Sequence, residues 1–454
     1  MMKLYDLQEP HAKVLTDSLY VNGVAVDMSE TGCGKTYVAT YVAKQMNAPV
    51  VVICPKAVIP SWIKVMKSAG ISPKVIINYE KLCRGNTPYL TYDKKAVFDK
   101  KSWESKGIKV HFPKNALIIL DEVHKCKGQQ SLNGNFLIAC KNNGYKLLLM
   151  SATAATNPLE MKALGFSTNL HNGANFSKWC CGVGAEFNSR FGGMSINLKD
   201  EKARKGMMDI HNNLFNTQVV ASRLTREMMR SRFPDNRVLA ETLDMGTNTV
   251  KIQAVYDQMQ AEIARLDERS QNYRAHVFAE IIKARRLAEL FKVPTLVEMV
   301  EDLYEEGISP VVFVNFQETM DGLISRLEKY SDTIGLIRGG QSDKQREMHL
   351  EDFQANRRRI MLANLAAGNA GVNLHDLDGR FPRHSIISPS YSAINLHQAL
   401  GRIHRADGKS PCLQKVIFAA GTIEERCCQK VQAKLDCLEL LNDGDLIGDI
   451  KIWN

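Results

Sequence analysis

Two short clusters in this chain have the residue types and the order needed to handle a phosphate chain. The first is Ser29-Glu30-Thr31-Gly32-Cys33-Gly34-Lys35-Thr36, which follows the apolar run 24–28 and precedes a helical pattern over 37–45. A strand, a tight loop and a helix N-terminus in that order aim backbone N–H groups and the helix dipole at phosphate oxygens. Lys35 would add positive charge near the β- and γ-phosphates of ATP, and the Thr36 hydroxyl can ligate magnesium. Ser29 stands where the usual glycine-rich pattern has its first glycine. A chance Gly-Lys-Thr on a surface turn is the bland alternative, and the flanking strand and helix oppose it.

The second cluster is Asp121-Glu122-Val123-His124, directly after the apolar run 117–120. A buried strand ending in two carboxylates puts them at the sheet edge where α/β proteins bind ligands. Asp121 can hold magnesium through water, and Glu122 can polarise the water that attacks a γ-phosphate. His124 could couple the nucleotide site to the chain beyond it. Paired acids also favour ordinary helix starts, but a phosphate loop upstream makes the catalytic reading the stronger one.

Both clusters need a sheet to hold them, and the sequence supplies its pattern. Apolar, β-branched runs at 24–28, 50–54, 75–78, 116–120 and 146–150 alternate with amphipathic stretches, the mark of a parallel α/β sheet. From about residue 165 the texture changes to Asn, Gly, Lys and Arg, which reads as a peripheral insertion over 165–238. Residues 251–305 read as helical, with Gln253, Tyr256, Met259, Ile263 and Leu266 at helical spacing. Strand-like runs return at 311–315, 334–337, 360–363, 385–387 and 415–418. The expected fold is α/β: two parallel-sheet lobes in tandem, 1–238 and 239–454, with a helical, basic insertion between them.

Composition bounds the partners. With 44% hydrophobic and 24% charged residues, the 454-residue chain is long enough for two or three cores. No apolar run approaches the ~20 residues of a membrane span, and no apolar stretch follows the N-terminus, so an intracellular, cytoplasmic protein is expected. The 11 cysteines are scattered without Cys-x-x-Cys spacing, which favours reduced thiols over a structural metal. A net charge of +10 leans towards a polyanionic partner without requiring one.

Further short motifs run nearly end to end in an order that resembles the superfamily 2 helicase core of the DExH kind. The likeness is strongest to the branch of chromatin-remodelling ATPases, annealing helicases and phage branch-migration helicases. Tyr5-Asp-Leu-Gln8 is similar to the element whose glutamine reads adenine. The stretch 51–55 ending in Pro55, with Ser61-Trp62, resembles motif Ia, and Ile77-Asn78-Tyr79-Glu80 the next segment along the nucleic-acid strand. Ser151-Ala-Thr153 resembles motif III, continued over 154–160 as in remodellers, and the residues from Arg223 to Pro234, then Gln253 and Tyr256, that branch's passage between lobes. In the second half, 311–316 with Asn315 resembles motif IV, and Arg338-Gly339-Gly-Gln-Ser342 the segment after it. The stretch 362–374, with Asn364 and Gly371, resembles motif V, and Gln398-Ala-Leu-Gly401-Arg402-Ile-His404-Arg405 resembles motif VI.

The resemblance implies two RecA-like lobes, ATP and Mg2+ as cofactors, and a sequence-independent DNA partner, duplex, forked or branched. It gives Gly371 to the nucleotide site alongside the phosphate loop, and Gln398, Arg402 and Arg405 to catalysis. The two arginines, three apart on an expected helix, could share one face and stabilise the transferred phosphoryl group; a solvated basic face with Arg383 and Lys409 is the alternative. Pro55, Asn78, Thr153, Asn315, Gly339 and Asn364 would meet the nucleic-acid backbone, and Trp62, Tyr79 and Tyr391 could stack on bases or sugars. The expected activity is ATP-driven remodelling of DNA forks or junctions, the chain leaving little room for a further domain. An RNA helicase of the same superfamily is the second reading, and a nucleotide-gated DNA scaffold with weak turnover the third.

Overall fold

The computed structural model describes residues 3–84, 87–92, 107–128, 131–152, 154–155, 157–188, 193–197, 200–267, 270, 272–365, 372–389, 393–422 and 424–425. By their contacts they divide into two units between Arg230 and Ser231.

The apolar runs of the first unit become strands for the reason their composition suggests. They are β1 (Val24–Asp27), β2 (Val50–Cys54), β3 (Val75–Asn78), β4 (Leu117–Asp121), β5 (Lys146–Met150) and the two-residue β6 (Ala221–Ser222). All pair in parallel, in the order β6-β1-β5-β4-β2-β3. Alternate residues feed opposite cores: Val24, Val26, Ile118 and Leu120 one, Ala25, Leu117 and Ile119 the other. A parallel sheet covered on both faces needs such continuous apolar strands. Helices Gln8–Val21 and Lys35–Met46 cover one face through Leu15, Leu19, Val38 and Val42. Helix Leu132–Asn142 covers the other through Phe136, Leu137 and Cys140.

The stretch expected as peripheral forms a helix at Phe176–Gly182, an antiparallel hairpin of Ala185–Asn188 with Gly193–Ile196, and a helix at Glu201–Asn212. It then returns to the sheet, because β6 pairs beside β1 at Val26↔Ala221 and Asp27↔Ser222.

In the second unit β7 (Asn236–Leu243), β8 (Ser309–Val314), β9 (Ile334–Ile337), β10 (Ile360–Asn364), β11 (Arg383–Ile387) and β12 (Cys412–Ala419) form another parallel sheet, ordered β7-β12-β11-β8-β10-β9. The strand β7, across the boundary expected at 238/239, pairs with β12 along its whole length. The helical stretch is three helices, Thr247–Ala264, Tyr273–Phe291 and Val293–Glu305. The first two meet through Ile252, Tyr256, Met259, Ala284 and Ala288, so Ile252 and not Gln253 faces that core, and Leu266 lies beyond the helix end. Val293, Leu296 and Val300 pack with Val312, Leu362 and Ile386. Two parallel α/β sheets in tandem along the chain are the architecture of RecA-like lobes. Among the described residues no helix is long and apolar enough to cross a membrane.

Candidate functional site

The strand β1 ends in Asp27 and the chain turns at once into the phosphate loop. Gly32 and Gly34 there hold φ of 96° and 84°, values that L side chains avoid. Gly34 also leads into helix Lys35–Met46, and a Cβ on it would lie 2.4 Å from Gln8 Nε2. Lys35 Nζ donates to the carbonyls of Ser29 (2.7 Å) and Glu30 (3.1 Å), so its ammonium is folded onto the loop backbone. Gln8, buried beside the loop, donates from Nε2 to Cys33 O (2.8 Å) and accepts Tyr5 N–H at Oε1 (3.0 Å). Thr31 and Cys33 are buried too, and burial pushes the Cys33 thiol up to about 12.

Beneath the loop lies a polar cluster that the residue pattern did not signal. His11 Nε2 sits 3.2 Å from both Asp27 Oδ1 and Ser29 Oγ, and its Nδ1 sits 2.7 Å from Ser222 Oγ. Asp27 accepts Ser29 N–H (2.9 Å), and Ser29 Oγ accepts Leu224 N–H (3.0 Å). Burial drives the Asp27 carboxyl up, but His11 beside it, the Lys35 charge and the Ser29 hydrogen bond together leave it below its ordinary value. Ser29, in the place of a glycine, therefore ties the loop to the chain leaving β6. Glu30 does the same with charge: its carboxylate meets Arg223 Nη2 at 2.9 Å and Arg226 Nε at 3.0 Å. An aspartate in the apolar run 24–28 was the one available signal.

Asp121 closes β4, and Glu122 comes next at φ 57°. Burial first, then the neighbouring Glu122 charge, raises Asp121 to about 6. His124 Nδ1 lies 3.2 Å from Glu122 Oε2 and 3.2 Å from Ser151 Oγ, so the imidazole links the second carboxylate to the end of β5. Two aromatic expectations are corrected here. Trp62 and Tyr79 are both 0% exposed, which leaves no ring face for a base or sugar. Trp62 Nε1 donates to Asp121 Oδ2 (2.9 Å) and Tyr79 Oη to Asp121 O (2.8 Å), so Trp62 holds the carboxylate and Tyr79 the backbone that carries it. Pro55 is buried after β2, and Asn78 Oδ1 caps the next helix by accepting Lys81 N–H (2.7 Å).

This donor set fits a magnesium nucleotide. A glycine loop at a helix N-terminus, the Lys35 ammonium, the Thr36 hydroxyl in the first helical turn and a buried carboxylate of raised proton affinity are what a phosphate chain and its cation would use. Among the described residues no three His, Cys, Asp or Glu side chains cluster to hold a metal by themselves. Magnesium would accordingly rest on Thr36, Asp121 and phosphate oxygens, its usual manner with nucleotides.

In the second unit Gln398 and Arg402 lie on helix Ala393–Ile403, while Arg405 falls just past its end, so the two arginines do not share a helix. They converge all the same: Arg402 Nη1 (3.4 Å) and Arg405 Nη2 (3.2 Å) both donate to Val372 O. Arg402 is 2% exposed and Arg383 fully buried, which overturns the solvated basic face. Asn315 donates to Glu289 and to Pro389 O (3.0 Å), and Asn364 Nδ2 to Asn315 O (2.9 Å), so these amides pin the ends of β8 and β10 together. Gly339 is exposed beside a cavity of about 470 Å³ lined by Arg338, Gln341 and Gln345. Thr153, Gly371 and Tyr391 lie outside the described residues.

Comparison with known proteins agrees with this layout. Residues 2–156 match the family described as the res subunit of type III restriction enzymes, and residues 291–407 match the helicase conserved C-terminal domain. A protein of Acanthamoeba polyphaga mimivirus, provisionally named an ATP-dependent RNA helicase, is 30% identical over 98% of this chain and 85% of its own length. The DNA repair protein RAD5A of Arabidopsis thaliana is 28% identical over 32% of this chain and 14% of its own length. A RAD54-like DNA repair and recombination protein of Drosophila persimilis is 30% identical over 32% of this chain and 19% of its own.

Proposed function

Since this chain belongs to the superfamily 2 helicases, ATP-hydrolysing by family, we propose that it is a DNA translocase that uses ATP to remodel forked or branched duplexes. The observation that carries the reading is the phosphate loop with its carboxylate pair: Lys35 folded onto the Ser29 and Glu30 carbonyls at a helix N-terminus, and Asp121 held by two buried aromatic donors. In this reading Lys35 would neutralise the β- and γ-phosphates, and Thr36 and Asp121 would hold magnesium. Magnesium, when bound, supplies charge neutralisation on the transferred phosphoryl group. Glu122 orients and deprotonates the attacking water, with His124 fixing its carboxylate from the Ser151 side. Arg402 and Arg405 are assigned the guanidinium role by the likeness of residues 398–405 to motif VI.

DNA is preferred because the remodeller-like stretch 154–160 goes with partial similarity to two proteins named for DNA repair. The second reading, an RNA helicase, is favoured by the name of the mimivirus relative. Asn315, Asn364 and Gly339 are kept as backbone contacts of the second unit. The test is ATPase activity measured in parallel with single-stranded DNA, duplex, fork, four-way junction and RNA. Many-fold stimulation by DNA, greatest with branched forms, is expected; stimulation by RNA equal to or above that by DNA would overturn the assignment.

A further inference from the structure

Helix Phe176–Gly182 and the hairpin Ala185–Asn188 with Gly193–Ile196 close on a small core of Phe176, Cys180 and Ala185. Two cavities open on this substructure. One, of about 640 Å³, is walled by Phe166, His171 and Trp179 and rimmed by Asn169, Asn172 and Asn175. The other, of about 330 Å³, is lined by Phe187, Met194 and Cys181. The exposed Lys178 lines both, and among the described residues neither lining includes a carboxylate.

The wall of the larger cavity is built, not incidental. His171 is only 8% exposed, with its ring 5.1 Å from Phe176 and 5.2 Å from Trp179. Its Nδ1 accepts Gly173 N–H (3.0 Å), and Gly165 leaves it room, since a Cβ there would lie 2.9 Å away. Trp179 and Phe166 are half-buried, each with surface left towards the cavity, while the exposed asparagine amides offer donors and acceptors at the rim. In the smaller cavity Phe187 is 74% exposed on a hairpin that does not use it for packing.

A flat apolar wall with amides, a lone ammonium, then a second aromatic match base, phosphate, base. We propose that this substructure binds unpaired DNA, seating successive bases in the two cavities with the intervening phosphate on Lys178. Bases in a duplex have their faces covered by neighbours, so only a single strand can offer them to Trp179 and Phe187. A protein partner would call for one continuous apolar patch, whereas an ammonium divides this one. The assignment rests on the DNA reading above and adds a contact outside the motifs that carry it. Every base has a stacking face, so binding here tolerates any sequence.

The test uses the full chain and a short single-stranded DNA carrying iododeoxyuridine, cross-linked by light and mapped by mass spectrometry. Adducts within residues 166–196 are expected, and Trp179→Ala, Phe187→Ala and Lys178→Glu should each weaken capture there about tenfold. Trp179→Phe, which keeps a stacking face, should retain it, and duplex-stimulated ATPase should be unchanged in all four. Adducts only elsewhere, or equal capture by the Ala variants, would overturn the site. Capture at these residues of an iodouridine RNA but not of the DNA would overturn the choice of strand. If duplex DNA fails to stimulate the wild-type ATPase while these adducts form, the translocase reading falls and the site stands.

Discussion

Gly34→Ala tests how the phosphate loop is held. The native φ of 84° costs an L residue about 1–2 kcal/mol. The added Cβ, 2.4 Å from Gln8 Nε2, must also displace that side chain and break its 2.8 Å bond to Cys33 O, worth about 1 kcal/mol. Together these predict a loss of about 2–3 kcal/mol in the first unit, or a roughly thirty- to 150-fold larger population of the open form. Native-state amide exchange along helix Lys35–Met46 reads this directly and avoids a two-state assumption for a two-unit chain. In a Gln8→Ala background only the φ cost should remain, so Gly34→Ala should cost about 1 kcal/mol less there, a coupling within the range for residues in contact. If the substitution costs the same in both backgrounds, Gln8 is not what holds this glycine in place.

Four further outcomes are expected. Glu122→Gln should keep ATP binding but lose turnover at least a hundredfold, since an amide cannot take the water proton; near-normal rates would mean another carboxylate acts. Glu30→Ala removes the partner of two largely buried guanidinium contacts, at 2.9 and 3.0 Å, and should destabilise the first unit by about 3 kcal/mol on the same exchange measurement. Cys33, with a thiol pushed to about 12, should resist iodoacetamide at mildly alkaline pH while the exposed Cys181 reacts, as peptide mass spectrometry would show. His375 is held down at about 4 by burial first and then by the charges of Arg405 and Arg383. Its folded value lies below its unfolded one, so the stability it lends is present above about 6.5 and lost as pH falls towards 4, by about 3 kcal/mol. Denaturant midpoints for wild type and His375→Gln should converge across that window.

What the sequence disclosed and what it hid divide along physical lines. Runs such as 50–54 and 117–120 are apolar on every residue, as a strand buried on both faces requires, so these strands are legible to within a residue or two. The two-residue β6 carries no periodicity at all, and β7 is a half-buried edge strand whose polar and apolar residues do not alternate, so neither announced itself. Trp62 and Tyr79 show why residue type misleads: an aromatic beside a catalytic carboxylate can stack on substrate or brace the acid, and only burial distinguishes the two. The His11, Asp27, Ser29 and Ser222 cluster joins positions far apart in the chain, a proximity that spacing cannot reveal.

The pairing of β7 with β12 also has a consequence for how the chain is made. Asn236 pairs with Cys412, so another 412 − 236 = 176 residues must be synthesised after Asn236 before its partner on the neighbouring strand exists. At the usual rates of translation that is a wait of roughly 10–35 s. The first sheet is complete once β6 emerges, and its unit can fold while the ribosome is still working. The Asn236–Leu243 strand must meanwhile stay unpaired, with its backbone N–H and C=O groups open to any other strand. Its Asn236, Arg237 and Glu241, polar and charged within an eight-residue strand, make it a poor template for such pairing.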